Sequence, residues 1–452
     1  MTTSGGGMTG SEAGDAIGAR VLRKAGWRII PLLGLAYMTA FMDRSNISFA
    51  AKTMNADLGF SETIYGIGGG IFFLSYALFE IPSNVILARV GARKWIARIM
   101  ITWGLVAAGM LFVKTPMQFY AMRFLLGICE AGFFPGVILY LSQWFPKEAR
   151  GRAISRFYIS GPLTRVVLGT ASVWLLSLDG VAGMKGWQWL FLVQGLPSVL
   201  VGLLVLALLP GDFRSVSWLD AREKAWLAGE LEGQGTGQGV GQAAGQAAGQ
   251  GGGHQHHLLA ALRHPMVLLL GAIGLLTTAT YYTFTLSEPR ILASAIGLAL
   301  PQVGYLVSFA GLLGAAAMLF TGWLSDRSGN RVRFLFVSTA LVTLAYVGFA
   351  ANLGPVPSLI AYLLYVSAWG SVTLSVWMVC TDMLPPRDMP VGTAMINTMS
   401  QVGAFLCPIA WGMAKDATGS FHAGFVGLVG LEILALVLIL VLARNLARRR
   451  PA

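Results

Sequence analysis

An arginine and a glutamate lie seven residues apart in the otherwise apolar stretch MRFLLGICEAGFFPGVILY, residues 122–140. Seven residues at 100° each bring Glu130 back to within about 20° of the helix face of Arg123, roughly 10 Å further along the axis. An ionisable group at membrane depth costs at least about 2.5–3.5 kcal/mol on insertion scales, so each is a candidate for function. The spacing predicts one shared cavity with room for a ligand, rather than a tight ion pair.

Together these two side chains predict the binding of an anion and a proton. A guanidinium stays charged, and its planar fork fits a carboxylate with two parallel hydrogen bonds. A carboxylic acid in a low-dielectric cavity is pushed toward its neutral form, while a nearby cation opposes this. Occupation of Arg123 by a substrate would therefore change the proton affinity of Glu130, which is the basis of proton coupling.

Three further charges fall inside apolar segments, and all of these charges belong to the N-terminal half of the chain. Asp43 and Arg44 lie deep in the first segment, and Arg165 lies in the fifth. Two interpretations of Asp43, Arg44, Arg123 and Glu130 are a ligand site and a buried salt-bridge network that holds helices together. Arg165 has three interpretations: a third cavity cation suited to a dianion, a partner of Asp43 or Glu130, or a packing role.

These charges must be positioned by membrane helices. The chain has 452 residues, of which 55% are hydrophobic and 12% charged, against about 25% charged in soluble domains. Windows long enough to cross a hydrocarbon core, roughly 20 residues, recur twelve times. They lie near 27–50, 62–83, 95–113, 116–140, 152–177, 187–209, 265–287, 301–324, 333–351, 356–380, 390–414 and 420–443. We predict an all-α polytopic membrane protein with twelve transmembrane helices.

The distribution of basic residues predicts the orientation. Placing both termini in the cytoplasm puts 24 of the 32 Lys and Arg on the inside, five outside (Arg290 among them) and three within spans. The excess of inside positive charge favours this topology, and it explains the net charge of +12 without a nucleic acid or other polyanionic partner. No cleavable signal peptide is evident, because the first 26 residues lack an apolar core.

A low-complexity tract divides the chain into two sets of six spans. It reads GQGTGQGVGQAAGQAAGQGGGHQHH, residues 233–257, and is predicted to be a flexible linker. Its His254, His256 and His257 lack carboxylate or cysteine partners, so we expect no metal site there. The predicted regions are a cytoplasmic tail (1–26), an N-terminal bundle (27–209), a cytoplasmic linker (210–263), a C-terminal bundle (264–443) and a basic tail (444–452).

An internal repeat supports this division. LARVGARK, residues 87–94, follows the second span, and LSDRSGNR, residues 324–331, follows the eighth, at a constant offset of 238 residues. Parallel repeats with a ligand site between them near the membrane midplane are a transporter architecture. Close packing of helices is predicted at Gly66, Gly68, Gly69 and Gly70.

The sequence resembles a known family. GWLSDRSGNR, residues 322–331, is similar to the signature loop of the major facilitator superfamily. YMTAFMDRSNISFA (37–50), FEIPSN (79–84), RFLLGICEAGFFPGVILYLSQWFP (123–146) and GWQWLFLVQGLPSVL (186–200) resemble its anion:cation symporter family, in particular the phthalate- and tartrate-permease-like branch. The first repeat departs from the pattern, because Ala88 replaces the expected acidic residue.

The resemblance implies roles for individual residues. Arg44 and Arg123 are expected to bind a substrate carboxylate, and Asp43 and Glu130 to carry protons. Arg165 is outside the family motif. Three cavity residues matching family positions are expected to contact the substrate: Tyr76, Trp377 and Asn397. The gate and signature-loop residues are Glu80, Arg89, Gly91, Arg93, Asp326, Arg327, Gly329 and Arg331, with Glu80 expected to contact Arg150 or Arg152.

The predicted function is secondary active import of an organic mono- or dicarboxylate by proton symport with alternating access. No catalytic constellation or metal-ligand cluster is present in the sequence, so we predict neither an enzyme nor a bound cofactor, with the proton gradient supplying the coupling ion. The expected partners are a small organic anion, protons and the lipid bilayer, and the expected state is a monomer in a bacterial inner membrane. A uniporter, an antiporter, a drug exporter and a membrane sensor are the alternatives.

Overall fold

The computed structural model describes residues 10–233, 265–328, 330–383 and 389–447, and all regular structure within them is helical. The predicted Gly/Gln tract with its three histidines, Gly329, and the connection at 384–388 lie outside the described residues. The side chain of Asp326 is also not described.

Among the described residues, ten α-helices precede the Gly/Gln tract. They are α1 (Gly10–Ser45), α2 (Ile47–Leu58), α3 (Glu62–Val90), α4 (Ala92–Gly109), α5 (Pro116–Glu130), α6 (Phe133–Ser142), α7 (Lys147–Tyr158), α8 (Ser160–Leu176), α9 (Gly186–Leu208) and α10 (Ala221–Gly233). Six helices follow it, namely α11 (Pro265–Ile296), α12 (Leu300–Ser328), α13 (Arg331–Ala351), α14 (Pro355–Met383), α15 (Met389–Thr418) and α16 (His422–Ala447).

The all-α fold predicted from the sequence is confirmed. In the described part of the chain, eleven segments are long and apolar enough to cross a membrane. The predicted span at 390–414 coincides with α15, which is 30 residues long but is not among those eleven. Its polar residues, such as Asn397 and Gln401, are accommodated because α15 packs between α3 and α11.

The predicted N-terminal tail and linker are more ordered than the sequence indicated. Helix α1 already begins at Gly10, and α10 forms within the predicted linker. The two helices are joined by an ion pair in which Lys24 Nζ lies 2.8 Å from Glu223 Oε1. This contact holds the first part of the linker against the N-terminal half.

Three of the predicted spans consist of two helices each. The first breaks at Asn46, between α1 and α2, the fourth at Ala131 and Gly132, and the fifth at Ile159. Gly132 adopts φ +88°, a backbone conformation that residues with a Cβ rarely adopt. A Cβ there would also collide with the Ser83 hydroxyl, whose Oγ donates a hydrogen bond of 2.6 Å to the Ala131 carbonyl. Gly132 thus ends α5 immediately after Glu130.

Gly132→Ala is expected to lower the thermal stability of the purified protein in detergent more than Gly180→Ala does. Both glycines have φ near +85°, so both variants incur the backbone cost of about 1–2 kcal/mol. Only Gly132 faces a neighbouring side chain, because nothing lies within 4 Å of a Cβ built on Gly180. Equal losses of melting temperature would show that the contact with Ser83 contributes nothing.

The two halves pack closely along two helix pairs. Gly66 and Gly70 of α3 face the carbonyl oxygens of Pro408 and Phe405 in α15, so a side chain at either glycine would separate the helices. The close packing predicted for this glycine run is therefore confirmed. Between α8 and α12, the Ser308 hydroxyl donates a hydrogen bond of 2.8 Å to the Val166 carbonyl.

The ends of the bundle differ. We call the end that carries Arg89, Arg93 and the α6–α7 connection the basic end, and the other the opposite end. At the opposite end, Asp416 accepts hydrogen bonds from the backbone N–H groups of Glu62 and Thr63, at 3.0 and 2.8 Å. The same Glu62 pairs with Arg290 of α11 at 2.7 Å. These contacts join the two halves at the opposite end.

Candidate functional site

The centre of the candidate site is Arg44, in the last turn of α1. Its Nη2 pairs with Glu130 Oε1, and its Nη1 donates a hydrogen bond of 3.2 Å to the Tyr282 hydroxyl. Both members of the ion pair lie at a helix break, since α1 ends at Ser45 and α5 ends at Glu130. The partner of Glu130 is thus on another helix, in agreement with the expectation that Arg123 is too distant along α5 for a tight pair.

Arg123 is fully enclosed, with 2% of its surface exposed, and it contacts no carboxylate among the described residues. Its Nε donates a hydrogen bond of 3.0 Å to the Gly68 carbonyl, while its Nη2 has no partner in the described structure. The guanidinium carbon lies 4.9 Å from the centre of the Phe72 ring, and that of Arg44 lies 5.4 Å from the same ring. One aromatic ring therefore borders both cations.

Asp43 points away from this pair. Its Oδ2 accepts hydrogen bonds from the Ser198 hydroxyl at 2.6 Å and from the Trp103 indole N–H at 2.8 Å, both within the N-terminal half. Consecutive helical residues point about 100° apart, which explains how Asp43 and Arg44 face different surroundings. The four-residue salt-bridge network considered from the sequence is therefore not formed, and only Arg44 and Glu130 pair directly.

The contact between Arg44 and Tyr282 has a special position in the fold. The two residues are 238 apart in the sequence, which equals the offset of the internal repeat. They are therefore equivalent positions of the two halves. Equivalent positions can contact each other only close to the axis that relates the halves, so the site lies at the centre of the molecule.

Aromatic residues of the C-terminal half border this centre. Tyr282 packs on Phe73 with ring centres 4.1 Å apart, and the neighbouring Tyr281 stacks on Trp369 at 4.2 Å. The guanidinium of Arg44 lies 5.3 Å from the ring of Tyr76, as expected for a cavity residue. Trp377, two turns beyond Trp369 on α14, keeps 36% of its surface exposed. Sequence reasoning thus named Trp377 but missed Trp369, for which no motif gave a signal.

Glu80 and Asn397 contact each other across the two halves. The Asn397 amide donates a hydrogen bond of 2.8 Å to Glu80 Oε2. The contact of Glu80 with Arg150 or Arg152 expected from the sequence is not formed, because Arg150 instead donates to the Phe145 carbonyl. A predicted gate residue and a predicted substrate contact are thus directly joined.

A buried glutamate of α11 in the C-terminal half was not predicted from the sequence. Glu288 of α11 is 4% exposed, and its Oε2 lies 2.5 Å from Arg165 Nη2. The pairing of Arg165 with Asp43 or Glu130, one of its three interpretations, is therefore not formed. Glu288 was missed because SEPR, residues 287–290, resembles a loop, whereas α11 continues through Pro289 to Ile296. For the same reason Arg290 lies within a helix and is not a loop residue.

Glu432 is a second buried glutamate of the C-terminal half. The Thr280 hydroxyl donates a hydrogen bond of 2.5 Å to its Oε1. Thr280 belongs to α11 and its carbonyl also accepts a hydrogen bond from Tyr346. Glu432 thus belongs to the packing of α16 on α11, away from the described contacts of Arg44 and Arg123.

The described residues of the signature loops lie at the basic end. Gly91 has φ +90° and ends α3 one residue after its last turn, which carries the exposed Arg89. Arg93 Nε donates a hydrogen bond of 3.1 Å to the Leu206 carbonyl of α9. In the second repeat, Arg331 Nη1 donates to the Met378 carbonyl of α14 at 3.3 Å, and Arg327 lies 5.6 Å from the ring of Trp323. The described contacts of Arg93, Arg327 and Arg331 are thus made within their own halves.

Tyr282→Phe is expected to weaken substrate affinity about three- to tenfold, because it removes the hydrogen bond between Arg44 and the Tyr282 hydroxyl. A hydrogen bond to a charged group contributes about 1.5–3 kcal/mol. We expect a smaller contribution here because this bond is long, at 3.2 Å. Tyr281→Phe is the matched control, since its ring stacks on Trp369 without bonding Arg44. Affinity is measured by calorimetric titration of purified protein. Equal effects of the two variants would contradict a role for the Tyr282 hydroxyl.

Comparison with known proteins agrees with the fold. The family model described as Major Facilitator Superfamily matches residues 33–408 and 269–452. A protein of Agrobacterium vitis named "Putative tartrate transporter" is 40% identical over 428 residues, covering 94% of this chain and 92% of that protein. A "Quinolone resistance transporter" of Acinetobacter baumannii is 34% identical, covering 95% of this chain and 96% of its own.

The solved structures show the same fold at lower identity. A bacterial homologue of the human lysosomal transporter Spinster, in an inward-facing and occupied conformation, superposes with a TM-score of 0.71 at 15% identity, covering 94% of this chain and 98% of that one. These relatives and structural neighbours are transporters, not enzymes. By the family match and the identity to its relatives, the chain belongs to the Major Facilitator Superfamily and is a multi-pass membrane transporter of the anion:cation symporter type.

Proposed function

We propose that this transporter imports an organic carboxylate together with protons by alternating access. The observation that carries the proposal is a pair of arginines, Arg123 fully buried and Arg44 mostly buried, that each have an unused buried donor. Arg123 Nη2 and Arg44 Nε have no hydrogen-bond partner among the described residues. Buried polar groups in folded proteins are nearly always paired, so unpaired donors at a site require an explanation. A bound carboxylate satisfies such donors with charge-assisted hydrogen bonds.

Glu130 is the proposed proton carrier at this site. It is 2% exposed and forms an ion pair with Arg44, so it competes directly with a substrate carboxylate for the same guanidinium. Protonation of Glu130 releases Arg44 for the substrate, and loss of the substrate returns Arg44 to Glu130. Asp43, held by Ser198 and Trp103, is the second proposed proton site.

In the proposed cycle the basic end faces the cytoplasm of a bacterium, the protein lies in the inner membrane as a monomer, and the proton gradient drives uptake. Contacts at the opposite end, between Asp416 and Thr63 and between Arg290 and Glu62, close the external route. At the basic end, a largely apolar groove of about 620 Å³ between α1 and α7 includes three arginines in its lining, namely Arg23, Arg152 and Arg156. Clefts lined by one sign of charge concentrate the opposite ion.

The second candidate function is export of a drug, and the observation that favours it is the 34% identity to the quinolone resistance protein. Quinolones also carry a carboxylate, so the two buried arginines alone do not separate the candidates. The direction of transport and the size of the ligand distinguish the two candidate functions. Uniport and antiport of the same anion are variants that differ only in coupling.

Purified protein in detergent, screened by thermal shift, tests the proposal. We expect small mono- and dicarboxylates, including tartrate and phthalate, to raise the melting temperature, and neutral analogues such as the corresponding diamides to have no effect. Uptake into proteoliposomes should then increase when the exterior is acidic. Stabilisation by neutral or cationic compounds but by no carboxylate would overturn the proposal, and stabilisation by quinolones alone would favour export.

A further inference from the structure

A second cluster of charge lies between the halves, apart from the pair of Arg44 and Glu130. Arg165 of α8 and Tyr362 of α14 bind the two oxygens of the same carboxylate, that of Glu288 on α11. Arg165 Nη2 lies 2.5 Å from Oε2, and the Tyr362 hydroxyl donates a hydrogen bond of 2.7 Å to Oε1. Glu288 and Tyr362 are both almost fully buried. The carboxylate is thus recognised at both oxygens, one by a cation and one by a phenol.

One helix connects this cluster to the central site. Helix α11 carries both Tyr282, which binds Arg44, and Glu288, six residues further on. Six residues at 1.5 Å per residue separate the two positions by about 9 Å along the helix axis. Tyr281, which stacks on Trp369, is two turns from Glu288 and therefore shares its helix face. The residues of α11 that contact Arg44 and Arg165 are thus about 9 Å apart along the axis and point toward different sides of the helix.

We propose that Arg165 and Tyr362 form a second anion subsite, for the distal carboxylate of a dicarboxylate, and that Glu288 occupies it as an internal carboxylate when no substrate is bound. The inference rests on the proposed carboxylate transport and names its substrate class. The parallel with the central site supports it. In both places an arginine of the N-terminal half is paired with a glutamate, Arg44 with Glu130 and Arg165 with Glu288, and in both a tyrosine of the C-terminal half is a hydrogen-bond partner.

The competing explanation is a static strut, in which the ion pair only holds α8 against α11. The two explanations predict opposite effects of neutralising Glu288 on the binding of a dicarboxylate. In a strut, removing either charge leaves the other buried and unpaired, so both variants are impaired in the same way. In a subsite, Glu288 competes with the substrate, so neutralising Glu288 favours the dicarboxylate while neutralising Arg165 disfavours it.

Pairs of ligands that differ by one carboxylate measure the preference for a dicarboxylate. Tartrate, succinate and phthalate are compared with their monoamides, which keep the carbon skeleton and lose one carboxylate. The measured quantity is the ratio of the dissociation constants of monoamide and dicarboxylate, by calorimetric titration of the full-length protein. We expect the wild type to prefer at least one dicarboxylate. Arg165→Gln should lower that preference about tenfold or more, Tyr362→Phe about threefold, and Glu288→Gln should raise it.

The double variant R165Q/E288Q distinguishes loss of the subsite from misfolding, because it leaves neither charge of the pair buried without its partner. It should fold and should lose the preference as Arg165→Gln does. Three outcomes would each overturn the subsite but not carboxylate transport. The wild type could bind dicarboxylates and monoamides equally, the double variant could keep the wild-type preference, or the Glu288→Gln variant could lose that preference. If the wild type binds neither member of any pair, the proposed function itself fails, and the subsite with it.

Discussion

Arg123→Gln is expected to abolish carboxylate binding and uptake. The guanidinium is enclosed and one of its nitrogens has no partner in the described structure, so we expect a substrate carboxylate to bind there out of contact with water. Removing one partner of such a desolvated charge pair costs about 2–5 kcal/mol, which is about 30-fold to several thousandfold in the dissociation constant. The measurement is calorimetric titration with the carboxylate that stabilises the wild type most, followed by uptake into proteoliposomes.

Two further variants serve as controls for Arg123→Gln. Arg123→Lys keeps the charge but not the planar fork, so its affinity should lie between those of the wild type and Arg123→Gln. Arg214→Gln is the control, because Arg214 is a surface arginine whose side chain is 62% exposed. An Arg123→Gln protein that is as stable as the wild type and binds the carboxylate with unchanged affinity would disprove the assignment of Arg123.

Glu130→Gln is expected to abolish uptake driven by the pH gradient while leaving exchange of substrate across the membrane intact. Glutamine keeps the shape and a hydrogen-bond acceptor for Arg44, but it cannot take up or release a proton. A proton moving across one pH unit contributes about 1.4 kcal/mol, or about tenfold accumulation. The variant should lose this accumulation in proteoliposomes with an acidic exterior, and it should retain counterflow of labelled substrate.

Glu432→Gln is the matched control for Glu130→Gln. Glu432 is an equally buried glutamate, but its described partner is the hydroxyl of Thr280 and not an arginine. Its neutral variant should keep both the accumulation and the counterflow. Concentrative uptake that persists in Glu130→Gln would show that the proton is carried elsewhere, with Asp43 as the next residue to test.

The sequence predicts the helices well because a membrane span must be apolar over a fixed length. It also places Arg123 and Glu130 correctly in one helix. What it does not provide is the partner of each charge. Helical periodicity gives the direction of a side chain relative to its own helix, whereas the pairing of Glu130 with Arg44 depends on how α1 packs against α5.

Two errors have the same origin. Glu288 and Arg290 flank Pro289, and a proline between charged residues resembles a loop, yet the helix passes through it. The buried position of Glu288 depends on α8 and α14 supplying Arg165 and Tyr362, which are 123 and 74 residues away. No local pattern contains that information. The misplaced contact of Glu80 likewise reflects the packing of α3 on α15, which brings Asn397 to it.

The contact between Arg44 and Tyr282 also sets a limit on stoichiometry. Residues at equivalent positions of two repeats meet only once, on the axis, so the duplicated fold does not contain a duplicated copy of this site. After duplication the one copy kept an arginine and the other a tyrosine, and the resulting site is asymmetric. We therefore expect one substrate molecule per protein, with a Hill coefficient of one and a binding stoichiometry of one in calorimetric titrations.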